Sequence, residues 1–296
     1  MSNDRVIYHY TTAAGLQGII EGGSIWMTDA RHLNDSGELV HAARIMRERI
    51  TAKIESIRPE VLDESSNEDP AGSRVSVLRG IQSYLDRIEL GQDYGYSAYV
   101  TAFCEDGNLL SQWRGYGGGV LGYSLGFSRD VLEKSDSLAK PTMPGLYGAQ
   151  QVSKPLELIP VDYGTDAGMA QIQDAIDQLA PYPSGHPGVH ADVQFGQHVL
   201  PVLAKIKDPG FREEKEWRLL LTTDSWLKTV KVRVGPTGLV PYVEALWPRE
   251  ALKAIIVGPG PNLELRADAV RKFVHRNYDT DAHSIDVTTS RIPFRV

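Results

Sequence analysis

Apolar and polar positions along the chain repeat with two periods, and the change from one to the other marks out the elements. Val6-Ile7-Tyr8-His9-Tyr10 is a short β-rich run. Leu16, Ile19 and Ile20 follow at helical spacing, with Thr11 or Thr12 to cap the helix and Gly22-Gly23 to stop it. Ser24-Ile25-Trp26-Met27-Thr28 predicts a second strand. Asn34, Asp35 and Ser36 are turn and cap residues, with Glu38 near the capping-box position. Residues 39–57 then read as an amphipathic helix whose basic side carries Arg44, Arg47, Arg49 and Lys53. Residues 58–73 are acidic and turn-rich and predict an exposed loop, with a second helix over 75–90.

The run Tyr96–Cys104 has the aromatic and β-favouring composition of a buried central strand. After it come Gln112, Trp113, Arg114 and Tyr116, then Gly117-Gly118-Gly119, and a further strand over 120–127. This stretch combines stacking and hydrogen-bonding capacity with backbone that tolerates close approach. Residues 135–156 are irregular, 156–164 read as a strand, and helices over 167–179 and 190–207 flank a loop whose Pro181, Pro183 and Pro187 forbid a continuous helix. His186, His190 and His198 recur there without tight metal-ligand spacing, so no metal is expected. Strands over 229–234 and 254–257, a helix from Asn262 to about 277, and a strand over 284–289 complete the chain. Gly258-Pro259-Gly260 lacks the lysine and spacing of a phosphate loop.

Residues 211–221 turn from a run of charge into an apolar strand. In an extended chain Glu214, Glu216 and Arg218 share one face, and Trp217, Leu219 and Leu221 the other, the latter set packing into a core. The charged row is open to two readings, a solvated Glu/Arg ladder or a polar row facing a cleft.

Strands and helices do not alternate as a doubly wound sheet requires, so the expected class is α+β. A single domain over 1–296 is expected, with a helical insertion at about 39–92 and a loop and helix insertion at about 135–207. Composition bounds the function. The chain has 296 residues, 42% of them hydrophobic, and a net charge of −7, which argues against general affinity for nucleic acid. Cys104 is the one cysteine; it reads as a buried small hydrophobe, and with no disulfide available a reducing, cytoplasmic setting is expected. No signal pattern or 18-residue apolar stretch is present, so no membrane partner is expected.

Six ordered motifs resemble the bacterial DUF2971 family: Tyr8-His9-Tyr10-Thr11-Thr12, residues 28–38, Ser111-Gln112-Trp113-Arg114-Gly115-Tyr116, residues 211–219 with the Glu-x-Glu-Trp-Arg core, Val257-Gly258-Pro259, and Ser290-Arg291-Ile292-Pro293. The resemblance implies the ADP-ribosyltransferase superfamily, with its central mixed and antiparallel split sheet, and NAD as substrate. It implies a macromolecular acceptor, protein or nucleic acid, and a role as toxin or antiphage effector. A non-catalytic nucleotide-binding module on the same fold is the alternative. Carried over to this chain, it makes Glu216 the carboxylate that stabilises the ribosyl cation, assisted by Glu214, and makes His9 the ribose-binding histidine. Tyr10, Thr11, Trp113, Arg114, Tyr116 and Arg218 would contact NAD, with Trp113 or Tyr116 stacking on nicotinamide and Arg114 and Arg218 facing the pyrophosphate. Asn34, Asp35 and Glu38 would meet the acceptor or cap their helix, and Trp26 is a nearer aromatic alternative.

Overall fold

The computed structural model describes residues 5–33, 37–61, 70–92, 95–117, 121–134, 156–179, 191–226, 230–235, 238–278 and 284–293. Its axis is strand β3 (Tyr96–Cys104), whose residues are buried on both faces except for half-buried Tyr96 and Ala102. Strand β6 (Glu216–Asp224) pairs antiparallel along the whole of one β3 edge, from Tyr96↔Asp224 to Cys104↔Glu216. The other edge is shared. Strand β1 (Val6–Thr11) joins it at Tyr8↔Cys104, and strand β2 (Ser24–Asp29) joins it at Thr28↔Val100 and Asp29↔Tyr99.

Between these contacts Thr101, Ala102 and Phe103 carry no registered partner on that edge, so the sheet forks there. From β1 the sheet continues through β4 (Tyr123–Ser128) and β9 (Leu252–Val257) to β10 (Asp286–Thr289), the last pair being parallel. From β2 it continues through β8 (Gly238–Leu246) to the edge strand β7 (Lys231–Gly235), and β5 (Glu157–Pro160) lies outside β6.

Helices cover both faces. On one, α2 (Gly37–Val61), α3 (Pro70–Glu89), α6 (Asp166–Leu179) and α7 (Ala191–Leu203) bury Met46, Leu78, Ile172 and Leu203 against Val100 and Leu220. On the other, α1 (Ala13–Gly22), α5 (Arg129–Lys134) and α8 (Leu263–Asn277) bury Ile20, Leu132 and Val270 against Tyr99, Leu219 and Leu221. The result is a mixed α/β domain on an open mixed sheet. Thr12 caps α1 by accepting from the Gly15 amide, and Gly23 ends it at φ 59°. No helix among the described residues is long and apolar enough to cross a membrane.

Several expected elements change. The charged run is not extended throughout: Pro209–Glu214 is a 3-10 turn, Lys215 sits in the left-handed region at φ 41°, and β6 starts at Glu216. Trp217 packs against the core holding Leu219 and Leu221 but stays half-buried, with the Arg129 guanidinium 3.6 Å over its ring and its indole N–H on Glu105. Residues 110–116 form a short helix, α4 (Leu110–Tyr116). Helix α7 stops at Leu203, because residues 204–207 turn back to bridge β5's neighbour at Asp162↔Ile206. Helices α2 and α3 take up part of the loop expected at 58–73. Strand β8 was hidden by Pro241, which ordinarily argues against a strand interior. Asn34, Asp35, Gly118, Gly119, His186, His190 and residues 135–155 lie outside the described residues.

Candidate functional site

A cavity of about 480 Å³ opens in the fork of the sheet. Two side chains substitute for the ladder bonds lost where the strands part. His9 Nδ1 lies 3.0 Å from the Ala102 carbonyl, and the Thr101 hydroxyl donates to the Trp26 carbonyl at 2.9 Å. A buried backbone group without a partner costs about 1–3 kcal/mol, so these bonds stabilise the open fork.

The His9 bond also fixes a tautomer. A carbonyl only accepts, so Nδ1 carries the proton and, in neutral imidazole, Nε2 offers a lone pair. Burial lowers the His9 pKa against the opposing effect of the Ala102 carbonyl, which favours that neutral form near pH 7. The Phe103 ring meets the imidazole edge-on at 5.9 Å.

Register fixes which face each wall occupies. Tyr8, Cys104 and Glu216 are paired in turn across three strands and therefore share a face, with Tyr10 and Arg218 two residues further on. His9 projects from the opposite face. It and Glu216 line the same cavity from the two sides of the fork.

The Glu216 wall is an ion cluster. Lys207 Nζ reaches Glu38 at 2.8 Å, Glu214 at 2.7 Å and Glu216 at 2.9 Å. Arg218 donates from Nε to Glu216 Oε1 at 2.6 Å, from Nη2 to Glu216 Oε2 at 3.2 Å and to Glu38, and from Nη1 to the Ala204 carbonyl at 2.8 Å. Lys207 is 2% exposed and Glu216 6%, so the charges interact with little solvent screening. Burial alone raises the Glu216 pKa, but Arg218 and Lys207 outweigh it and hold the carboxyl below the usual range. Burial likewise opposes charge on Lys207 and Arg218, and the glutamates overcome it and raise both. The Glu216 amide donates to the Tyr163 hydroxyl at 2.8 Å, and burial pushes that phenol up to about 12. Three carboxylates face two cations, a surplus of one negative charge.

Glu214 reaches the cluster by a different route from the one its spacing predicts. It leaves the 3-10 turn, and the left-handed Lys215 reverses the chain so that Glu214 and Glu216 both converge on Lys207. Glu38, in the first turn of α2, is a cluster member rather than only a cap. Among the described residues no group of three or more His, Cys, Asp or Glu side chains is arranged to hold a metal ion.

The α4 residues divide by helical geometry. Gln112 and Tyr116, four apart, line the cavity. Trp113 does not: it is buried edge-on to Tyr10 at 4.7 Å with its indole N–H on Asn108. Arg114 is exposed and outside the cavity wall. Thr11 lines the cavity, pressed so closely by α1 that a Cβ on Gly15 would lie 1.9 Å from its hydroxyl. Tyr10 also lines it, but its hydroxyl donates to the Asp106 carbonyl and accepts from the Leu109 amide, which makes it a brace. Cys104 is buried, and burial pushes its thiol up to about 11, as suits an inert core residue.

Sequence reasoning missed Lys207 and Arg233, both cavity-lining, and gave Trp26 only as an alternative although it also lines the cavity. Lys207 follows an apolar helix and precedes Asp-Pro-Gly, where a lysine reads as solvated. Its buried position depends on contacts up to 169 residues away in sequence, with Glu38.

No curated protein matches the chain. Residues 112–219, which supply Gln112, Tyr116, Lys207, Glu214, Glu216 and Arg218 to the cavity, match the model of a family described as a protein of unknown function, DUF2971, and this match supports the family resemblance.

Proposed function

We propose that the protein is an NAD-dependent ADP-ribosyltransferase of the ADP-ribosyltransferase-like superfamily, which breaks the nicotinamide glycosidic bond and transfers ADP-ribose to a macromolecular acceptor. The observation that carries this reading is the forked sheet with His9 and Glu216 on the two walls of one cavity. In the reaction the C–N bond breaks, nicotinamide leaves with the bonding pair, and the ribose C1 becomes oxocarbenium-like. An acceptor oxygen or nitrogen then bonds to C1 and releases its proton.

A fixed carboxylate beside C1 stabilises that cation more than it stabilises the neutral sugar, which is the differential binding catalysis requires. Glu216 is suited to this because Arg218 and Lys207 hold it in one orientation and keep it ionised. Oε2 accepts two hydrogen bonds and Oε1 one, which leaves a lone pair on Oε1 for a ribose hydroxyl. The cluster's surplus negative charge acts in the same sense. His9 Nε2 accepts a second ribose hydroxyl, and Tyr116 offers a ring to the pyridinium.

A second reading, a nucleotide-binding module without catalysis, is favoured by the double cation pairing of Glu216, which offsets much of its charge. Labelled NAD incubated with separated lysate fractions distinguishes the two. Transfer of label by the wild type and not by Glu216→Gln supports the transferase. NAD binding without nicotinamide release in any fraction supports the module, and no NAD binding at all contradicts both.

A further inference from the structure

Three lysine or arginine side chains line the cavity among the described residues, and two of them, Lys207 and Arg218, are saturated by glutamates. The third is Arg233, on edge strand β7. Its Nη2 donates to the Thr28 hydroxyl at 3.1 Å, and its guanidinium lies 5.7 Å from the centre of the Trp26 ring. No carboxylate pairs with it among the described residues, and its Nε is buried without a hydrogen-bond partner. A buried guanidinium N–H left unsatisfied costs more than a neutral donor, and such a group marks a place where a ligand atom is missing.

The surroundings favour an anion. Register places Trp26, Thr28, Tyr242 and Arg233 on the same face of the sheet as Glu216, across the fork on the β2–β8–β7 arm. Glu244, opposite Trp26 on that face, is engaged by Lys231 Nζ at 2.8 Å. Trp26 is 48% exposed and braced by Tyr242 at 4.7 Å, so it supports the guanidinium from one side and leaves flat aromatic surface toward the cavity. The cavity is therefore polarised, with surplus negative charge at Glu216 and an uncompensated positive group at Arg233.

We infer that Arg233, seated on Trp26 and tethered by Thr28, is the phosphate-binding residue of this cavity and takes the pyrophosphate of a nucleoside diphosphate ligand. The guanidinium fork presents parallel N–H groups to phosphate oxygens, and the idle Nε supplies one of them. This assigns the role that Arg114 and Arg218 cannot fill, the first lying outside the cavity and the second committed to Glu38 and Glu216. It rests on the nucleotide reading of the cavity but not on cleavage of NAD.

The test is calorimetric titration of the wild type, Arg233→Gln and Arg233→Lys with ADP-ribose, ADP, inorganic pyrophosphate and adenosine, with thermal melting to confirm folding. Arg233→Gln is expected to weaken ADP-ribose and ADP by about 10- to 100-fold, to leave adenosine unchanged, and to be partly rescued by Arg233→Lys. Wild-type affinity for ADP-ribose in a folded Arg233→Gln overturns the assignment and leaves the NAD reading standing. Arg233-dependent binding of ADP without nicotinamide release in any fraction upholds the assignment and removes the transferase. Failure of the wild type to bind any phosphate ligand overturns both.

Discussion

Arg218 and Arg233 line the same cavity and differ in what surrounds them. Arg218 is almost wholly buried and spends its donors on Glu38, Glu216 and a backbone carbonyl. Arg233 sits on an edge strand against an indole, with one hydroxyl partner and an unpaired Nε. A guanidinium whose donors are all satisfied by the protein holds other groups in place. One left unsatisfied holds something the protein lacks. The same contrast separates the two ends of the cavity, one closed by an ion cluster with surplus negative charge and the other open to a ligand.

The contrast is broken most strongly by removing a cation at the closed end. Lys207→Met leaves Glu38, Glu214 and Glu216 facing one another with Arg218 alone, and is expected to cost about 3–5 kcal/mol of stability in urea denaturation. Arg233→Met, at the open end, is expected to cost less, about 1 kcal/mol, since the loss of one cation–π contact and of the hydrogen bond to Thr28 is offset by relief of an unsatisfied donor. Equal losses would mean that both cations are structural. Tyr163→Phe removes the acceptor of the Glu216 amide and is expected to destabilise by about 1 kcal/mol, with weaker effects on ligand affinity than Arg233→Gln.

Acid pH gives the smallest effect and probes the fork itself. His9 has a folded pKa below its ordinary 6.5, so the unfolded chain binds the extra proton first. Stability is expected to be flat above about 6.5 and to fall as pH drops toward the folded value. Glu216, also depressed, adds a second loss as pH falls below its ordinary 4.5 toward its folded value. His9→Asn should abolish the first loss and keep the second in denaturation midpoints measured across pH. A wild type whose midpoint is unchanged between pH 7 and 5 would mean that the imidazole accepts a proton within the fork.

Much of this was legible in the sequence where local pattern and tertiary role agree. A cap at Thr11 or Thr12, a stop at Gly22-Gly23, the β3 run and the Glu216–Arg218 alternation follow from caps and period alone, and the fold selects Thr12 and Gly23. Alternation assumes extended backbone, so the charged stretch reads as continuous with the strand, and a 3-10 turn closed by a left-handed lysine leaves no pattern in spacing. Trp113 and Arg114 fall outside the cavity wall for the complementary reason. On a seven-residue helix Gln112 and Tyr116 share the cavity face, while the two residues after Gln112 turn to the core and to solvent. Lys207 and Arg233 each look solvated locally, one after a helix and the other alternating with exposed valines. The return of the chain against α2 and β2 gives each a partner distant in sequence, Glu38 for Lys207 and Thr28 for Arg233.

The most direct measurement is nicotinamide release from labelled NAD by the wild type and Glu216→Gln in the presence of lysate fractions. The substitution takes the cluster from a surplus of one negative charge to balance, so the fold should survive, as ADP-ribose binding and thermal melting would verify. A loss of about 100- to 1,000-fold in release, with ADP-ribose binding retained, is the expected result. Equal release by wild type and variant, or none from the wild type in any fraction, would contradict Glu216 as the carboxylate that stabilises the ribosyl cation.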